Sequence, residues 1–319
     1  MKIAFMASDA VAIPSIEAVL SGPEAELACV VSNPDRPKGR GGKTAPNDVS
    51  AWALSRGIPL LRPEKSPDAS VIEALKNMGV ECVVVMAYGK MLRGEFLDFA
   101  PLGCLNLHGS ILPELRGASP IETAIALGKT STGVSLMRVV KKMDAGDVCG
   151  AVEVGIEPRE TGASLRKKIA AAAAGLLSRN LGTIKRRALK FAPQDEARAT
   201  YSRKILKPDL YLDFSKPALE LDRRIRAFGS GIVSAGGEVL KVGEAFAEGD
   251  FENARFGRVE EISKDFICVS CARGVLKISK IQAPCAKMLP VGQFLNGYKM
   301  EKGLAFERFE NESLLRQNF

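Results

Sequence analysis

The stretch Glu81-Cys-Val-Val-Val-Met-Ala87 is an almost unbroken run of apolar, β-forming residues, which predicts a buried strand. Other strand-like segments occupy the first two-thirds of the chain, at residues 2–6, 27–32, 103–107, 133–139 and 148–154. Helix-like segments separate them, at residues 14–20, 45–56, 70–77, 120–127 and 162–183. Strands that alternate with helices favour a mostly parallel sheet covered on both faces. Residues 1–192 are therefore predicted to form a doubly wound, Rossmann-like α/β domain.

The pattern changes after about residue 190. Residues 193–208 are polar and charged with little periodicity, which predicts a linker. A short basic helix at residues 219–228 follows, and then short strands with turn signals between them, at residues 237–242, 258–262, 266–271, 275–281 and 304–309. Short strands at this spacing predict a small β-barrel domain over residues 209–319.

The composition is that of a soluble globular protein of about two domains. The chain has 319 residues, of which 46% are hydrophobic and 26% charged, and this is too apolar for a disordered chain. Its apolar stretches are shorter than the roughly 20 residues that a membrane span needs. The N-terminus does not resemble a signal peptide, and seven irregularly spaced cysteines do not describe a disulfide scaffold. We therefore expect a cytoplasmic, monomeric protein that has no membrane partner.

Positive charge is concentrated in two stretches of a chain whose net charge is +8. Residues 185–208 carry eight basic side chains against two acidic ones. Residues 36–43 form a glycine-rich stretch with four cations, namely Arg36, Lys38, Arg40 and Lys43. Either stretch could be an ordinary solvated surface, and either would also suit an anionic partner.

Nucleotide and metal motifs are not convincing. The first βα turn, residues 6–14, has no glycine, whereas a dinucleotide site needs glycines there. Gly42-Lys43-Thr44 matches the end of a P-loop, but Pro37 stands where the first glycine of that loop belongs. Cys268 and Cys271 lie inside a strand pattern, where cysteine is usually a small core residue. We therefore expect neither NAD, ATP nor a metal.

Polar groups cluster at the end of the predicted strand at residues 103–107. Asn106 and His108 are two residues apart, so a strand points both to one face. His108 is the only histidine of the chain, so imidazole acid–base chemistry near neutral pH would have to use it. The competing interpretation is a structural histidine at a strand end.

Asp144 follows another predicted strand and would bring a carboxylate to the same edge of the sheet, although Asp and Gly are also common in simple turns. An amide, an imidazole and a carboxylate together suit acyl transfer, in which a carbonyl oxygen gains negative charge as an amine attacks. No serine or cysteine stands beside a base, which favours direct transfer over a covalent acyl-enzyme.

These motifs occur in an order that resembles the 10-formyltetrahydrofolate-dependent formyltransferases. The resemblance is carried by Asn106-Leu-His108-Gly-Ser110-Ile111-Leu112-Pro113, by Arg116-Gly-Ala-Ser-Pro-Ile121 and by Asp144-Ala-Gly-Asp147. Within that family the whole chain resembles the branch that formylates methionyl-initiator tRNA. Residues 33–43 are similar to that branch's tRNA acceptor-arm loop, and residues 85–89 to its folate-pocket strand. Residues 194–196, Tyr201 and residues 225–227 are similar to its linker and to the start of its OB-like C-terminal barrel.

The resemblance implies a role for each site residue. Asn106 and protonated His108 would hydrogen-bond the formyl oxygen, and Asp144 would orient His108 and relay a proton from the attacking amine. The folate-binding residues would be Ser110, Ile111, Leu112, Pro113, Tyr88 and Gly89. Contacts to tRNA would come from Arg36, Lys38, Arg40 and Lys43. The formyl donor would be 10-formyltetrahydrofolate, acting as a co-substrate.

The chain departs from the family pattern in the first βα turn. Ala7, Ser8, Asp9 and Val11 replace residues that usually include glycine, threonine, proline and phenylalanine. This change leaves open how a methionine side chain would be held.

Three alternatives differ in features visible in the sequence. A sugar-nucleotide N-formyltransferase would share the catalytic residues but has no evident need of four cations in residues 36–43. A glycinamide ribonucleotide formyltransferase lacks a second domain. A non-catalytic RNA-binding protein would not need an Asn/His pair at a strand end.

Overall fold

The computed structural model describes residues 1–37, 42–92, 94–253 and 255–316. Its N-terminal strands are β1 (Lys2–Met6), β2 (Glu26–Val31), β3 (Arg36–Pro37), β4 (Thr44–Ala45), β5 (Leu60–Leu61), β6 (Cys82–Val85), β7 (Cys104–His108), β8 (Arg116–Gly117), β9 (Ser131–Arg138) and β10 (Val148–Gly155). The helices between them are α1 (Ile13–Ser21), α2 (Asp48–Ser55), α3 (Ala69–Asn77), α4 (Pro120–Ala126) and α5 (Gly162–Lys185).

Seven of these strands form one sheet in the order β10-β9-β7-β6-β1-β2-β5. The strands from β7 to β5 run parallel, whereas β9 runs antiparallel to both β7 and β10. This confirms the predicted α/β class and the mostly parallel sheet. Helix α2 begins at Asp48 rather than at residue 45, because the Asn47 side chain caps it by accepting a hydrogen bond from the Ser50 amide at 3.0 Å.

The alternation of side chains along β7 places the polar pair. Leu105 and Leu107 belong to the apolar core on one face of the sheet, and Cys104 belongs to the core on the other face. Asn106 and His108 continue the Cys104 face toward the carboxyl end of the strand. The strand therefore buries one row of side chains and presents the other row at the edge where parallel sheets bind ligands.

The C-terminal part is an antiparallel sheet with one helix packed against it. Its elements are β11 (Tyr201–Ser202), α6 (Ala218–Phe228), β12 (Gly231–Ala235), β13 (Glu238–Glu252), β14 (Val259–Ile262), β15 (Ile267–Ser270), β16 (Arg273–Gln282), β17 (Leu289–Pro290), α7 (Val291–Leu295) and β18 (Leu315–Arg316). The sheet order is β12-β13-β16-β15-β14, with β17 paired to β16. Residues 304–309, predicted as a strand, form only an isolated bridge between Ala305 and Arg258. The predicted second, β-rich domain is confirmed and its sheet is antiparallel, while its closure into a barrel and the domain boundaries remain predictions.

The predicted linker is folded onto the N-terminal domain. Strand β11 pairs in parallel with β8 and antiparallel with β18, so a small three-stranded sheet ties the connecting segment to residues near the end of β7. A two-residue strand is too short to produce a visible periodicity, which is why the sequence pattern shows only a polar segment.

The N-terminal and C-terminal parts of the molecule are in close contact where α5 meets α6. A Cβ on Gly162 would lie 2.2 Å from the Ala227 carbonyl oxygen, so only glycine allows this approach. Beside it, Arg159 pairs with the buried Asp222 carboxylate at 2.7 Å and donates to the Ala245 carbonyl at 3.0 Å. Within the described residues, no helix is long and apolar enough to cross a membrane.

Candidate active site

Asn106, His108 and Asp144 lie together in one cleft of about 650 Å³. Strand β7 supplies the first two, and the loop after β9 supplies the third. The Asn106 Nδ2 atom is 3.4 Å from one carboxylate oxygen of Asp144, and the His108 Nδ1 atom is 3.6 Å from the other. The structure thus brings together the amide, the imidazole and the carboxylate that the sequence analysis selected.

The His108 ring is held from its far side. It is only 6% exposed, and its Nε2 atom is 2.9 Å from the Leu115 carbonyl oxygen. A carbonyl only accepts hydrogen bonds, so Nε2 carries the hydrogen in this contact. The ring nitrogen left to exchange a proton is Nδ1, which faces Asp144.

Asp144 is fixed by its backbone as well as by its side chain. Its φ angle of 48° lies in the left-handed region, which is unusual for a residue other than glycine. One carboxylate oxygen accepts a hydrogen bond from the Gly117 amide at 2.8 Å. The carbonyls of Asp144 and Gly146 accept hydrogen bonds from the Gln194 side chain at 2.8 and 2.7 Å.

Tyr88 and Gly89 line the same cleft, on the loop after β6. Gly89 has a φ of 78°, a conformation that glycine adopts without strain. Tyr88 is 2% exposed and its hydroxyl has no hydrogen-bond partner among the described residues. Burial raises the pKa of Tyr88 to about 12, so the phenol stays protonated.

Ser110, Ile111, Leu112 and Pro113 do not line this cleft. They line a second cavity of about 690 Å³. The turn is attached to β9, because the Leu112 amide donates to the Ser135 hydroxyl at 3.0 Å and that hydroxyl donates to the Ser110 carbonyl at 2.8 Å. Of the six predicted folate-binding residues, only Tyr88 and Gly89 share a cleft with the catalytic trio.

The altered first βα turn forms the other end of the cleft. Asp9 pairs with Arg166 at 2.5 Å, and Glu122 pairs with the same guanidinium at 2.7 Å. All three line the cleft together with Val11. Sequence reasoning did not find Arg166 or Glu122, because they lie on different helices and no spacing rule connects them.

The predicted tRNA-contacting side chains lie partly outside the described residues. Arg36 and Lys43 are exposed and stand at or next to the short β3–β4 ladder. Lys38 and Arg40 fall outside the residues that the structure describes. No cluster of metal-ligating side chains occurs within residues 1–37, 42–92, 94–253 and 255–316.

The chain matches two family models. The model described as "Formyl transferase" matches residues 1–181, and that described as "Formyl transferase, C-terminal domain" matches residues 204–299.

Relatives of similar length carry one name. A methionyl-tRNA formyltransferase of Moorella thermoacetica is 34% identical over 306 residues, covering 95% of this chain and 98% of the relative. A methionyl-tRNA formyltransferase of Myxococcus xanthus is 37% identical over 305 residues, covering 95% of this chain and 96% of the relative.

Solved structures share the fold at lower identity. A sugar 3N-formyl transferase, crystallised in the presence of dTDP and 5-N-formyl-THF, is 17% identical with a TM-score of 0.64, covering 90% of this chain and 99% of that one. HypX from Aquifex aeolicus, in complex with tetrahydrofolic acid, is 16% identical with a TM-score of 0.59, covering 98% of this chain and 52% of that one.

Proposed function

This chain belongs to the formyl transferase family, and on that premise we propose that it transfers a formyl group from 10-formyltetrahydrofolate to the α-amino group of methionyl-initiator tRNA. The acceptor is supported by full-length relatives that bear the name methionyl-tRNA formyltransferase. The observation that carries the chemistry is the meeting of Asn106, His108 and Asp144 in one cleft. A folate co-substrate is supported by related structures that contain folate derivatives.

The amide of Asn106 suits stabilisation of the formyl oxygen. One of its N–H groups points at Asp144, and the other has no partner within the described part of the chain. That second N–H donates to the oxygen that gains negative charge when the amine attacks. The donor and the charge meet in a cleft that is partly closed to water, where such a hydrogen bond is stronger than in bulk solvent.

His108 and Asp144 handle the proton that the attacking amine loses. The Nε2 hydrogen is engaged by Leu115, so the proton passes through Nδ1 and the carboxylate 3.6 Å away. Formyl transfer then forms the new C–N bond of the formyl-amide and breaks the C–N bond to the folate nitrogen, which takes up the proton. The side chains return unchanged.

The cleft has the size and lining to hold the donor. A volume of about 650 Å³ lies within the usual range for small-molecule sites, roughly 300–1,000 Å³. Tyr88 and Gly89 both line it, and Gly89 lets the backbone approach a ligand closely. The folate-binding role of Ser110–Pro113 rests on the resemblance. These residues line the second cavity, so a structure with bound folate would test whether they contact it directly.

The partners and the location of the protein are those expected from the sequence. Arg36, Lys38, Arg40 and Lys43 contact tRNA, the protein acts in the cytoplasm as a monomer, and no metal, NAD or ATP takes part. Light scattering on the purified protein measures the oligomeric state directly.

The deciding experiment compares two acceptors with the same donor. Purified protein is incubated with 10-formyltetrahydrofolate and either charged initiator tRNA or an amino-sugar nucleotide, and the formylated product is quantified. We expect turnover on the tRNA alone. Turnover only on the amino-sugar nucleotide would retain the chemistry and replace the acceptor, and transfer to neither would refute the proposal.

A further inference from the structure

We propose that Gln194 is a positioning residue for Asp144, so that the segment joining the two domains sets the geometry of the reacting centre. The inference rests on the proposed function, because it takes Asp144 as a group of that centre. Gln194 itself does not line the cleft.

All hydrogen-bonding atoms of the Gln194 side chain are engaged. Its Nε2 atom donates to the carbonyls of Asp144 and Gly146 at 2.8 and 2.7 Å. Its Oε1 atom accepts from the Nε and Nη2 atoms of Arg116 at 3.0 and 2.8 Å. Rotating the amide by 180° would set its oxygen against two carbonyl oxygens, so these partners fix a single orientation.

The turn that carries Asp144 needs such support. The left-handed conformation is uncommon for residues other than glycine, and Asp144 adopts it with a φ of 48°. Gly146 packs so closely against β9 that a Cβ there would lie 1.9 Å from the Arg138 carbonyl oxygen. Gln194 bonds the carbonyls of both residues, and so holds this turn in the one conformation that points the Asp144 carboxylate at His108.

Arg116 holds the oxygen end of the Gln194 side chain. Its side chain is fully buried, and it also donates to the Glu196 carboxylate at 2.8 Å and to the Tyr201 hydroxyl at 2.9 Å. Glu196 in turn pairs at 2.6 Å with Lys142, two residues before Asp144. The connecting segment therefore holds the Asp144 turn at two points.

The same segment also holds the other groups that contact the trio. Gly117, whose amide binds the Asp144 carboxylate, lies in β8, which pairs with β11 of the segment. Leu115, whose carbonyl binds His108, donates its amide hydrogen to the Thr200 hydroxyl at 2.9 Å. Removing Gln194 leaves these contacts in place, but it releases the backbone of the Asp144 turn and also removes one acceptor of the buried Arg116. Gln194→Glu keeps that acceptor, so comparing the two variants separates these effects.

The test measures kcat and KM separately for Gln194→Ala and Gln194→Glu. Gln194 does not line the cleft, so we expect kcat to fall about 10- to 100-fold, as for a displacement of about 1 Å in a catalytic group. The KM values for donor and tRNA should each stay within about threefold. Gln194→Glu keeps the acceptor for Arg116 but removes both N–H donors, so it should lose at least as much.

Gln282→Ala is the matched control. Gln282 also donates its side-chain amide to a backbone carbonyl, that of Ala286 at 2.6 Å, but it lies on β16 of the C-terminal sheet. We expect its kcat to equal that of the wild type. If Gln194→Ala does not fold, Glu196→Gln is the milder variant, and it should lower kcat two- to tenfold by loosening Arg116.

A crystal structure of the Gln194→Ala protein separates this inference from the proposed function. Displacement of the Asp144 carboxylate by about 1 Å or more supports positioning, even if the wild type proves to use another acceptor. An unmoved Asp144 with unchanged kcat would overturn the inference. A raised KM for tRNA with unchanged kcat would also overturn it, and would make Gln194 a tRNA-binding residue instead.

Discussion

At the scale of single residues, Asn106 and His108 share one strand face but differ in what holds them. The His108 ring is nearly buried and has its Nε2 hydrogen engaged by Leu115. The Asn106 amide is partly exposed and makes a long hydrogen bond, 3.4 Å, to Asp144. The amide is therefore the freer donor toward a ligand, and the imidazole is the group held in place for proton exchange.

Removing the amide tests its role as oxyanion donor. Asn106→Ala should lower kcat about 10²- to 10³-fold, the usual cost of losing one such donor. The measurement is formyl transfer at saturating donor and tRNA. The control is Asn180→Ala, whose amide donates to the Leu176 carbonyl within α5. Equal kcat values for the Asn106→Ala and Asn180→Ala proteins would show that Asn106 is not an oxyanion donor.

Because of the Glu196 carboxylate, the free energy of unfolding should change with pH in the acidic range. Hydrogen bonds from Arg116, and then from Lys142, lower the pKa of Glu196 to about 2 from an ordinary value of 4.5. A carboxylate with a depressed folded-state pKa stabilises the fold fully above its unfolded pKa, and this contribution disappears as pH falls through the folded value. Thermal unfolding should show Glu196→Gln less stable than wild type at pH 7. The difference should shrink between about pH 4.5 and 2, and a constant difference across that window would contradict the assignment.

At the scale of elements, α5 both covers the N-terminal sheet and meets the C-terminal domain. Thr161 caps its N-terminus, because the Thr161 hydroxyl accepts a hydrogen bond from the Ser164 amide at 3.1 Å. Leu165, Ile169 and Leu177 then pack into the core of the N-terminal domain. The first residue of the helix, Gly162, is where the α6 backbone approaches.

Two glycines of α5 should respond oppositely to the same substitution. Gly162→Ala places a Cβ 2.2 Å from the Ala227 carbonyl oxygen, so it should destabilise by about 1–3 kcal/mol through overpacking. Gly175→Ala meets only the flexible end of Arg179 and should gain up to about 1 kcal/mol of helix propensity. Urea unfolding measures both, and equal effects would mean that the close contact is absent.

At the scale of the whole molecule, the charge distribution suits the tRNA acceptor proposed above. The net charge is +8, and exposed Arg36 and Lys43 flank the glycine-rich stretch. Arg198 of the connecting segment is also 68% exposed at its side chain. Cations on separate segments suit an extended polyanion better than a small phosphate.

Removing two of these cations should weaken tRNA use without touching the chemistry. The double variant Arg36→Ala/Lys43→Ala should raise KM for charged tRNA and leave KM for the folate donor unchanged. A plot of the logarithm of the tRNA binding constant against the logarithm of salt concentration should also become less steep, by about 1–2 in slope. Each phosphate contact contributes about one unit to that slope. An unchanged slope would show that these side chains do not contact phosphates.

The sequence by itself determined the α/β class, a second domain of short strands and the candidate trio. Apolar runs report which segments are buried, the period of two along β7 places Asn106 and His108 on one face, and a single histidine leaves one choice. Only the tertiary structure decided how these groups are held. The contacts of Gln194 with Asp144 and of Arg116 with Glu196 join residues about 50 and 80 positions apart. The Asp9–Arg166–Glu122 cluster joins three separate segments. Such contacts leave no periodic trace in a sequence because they depend on where separate segments meet in space.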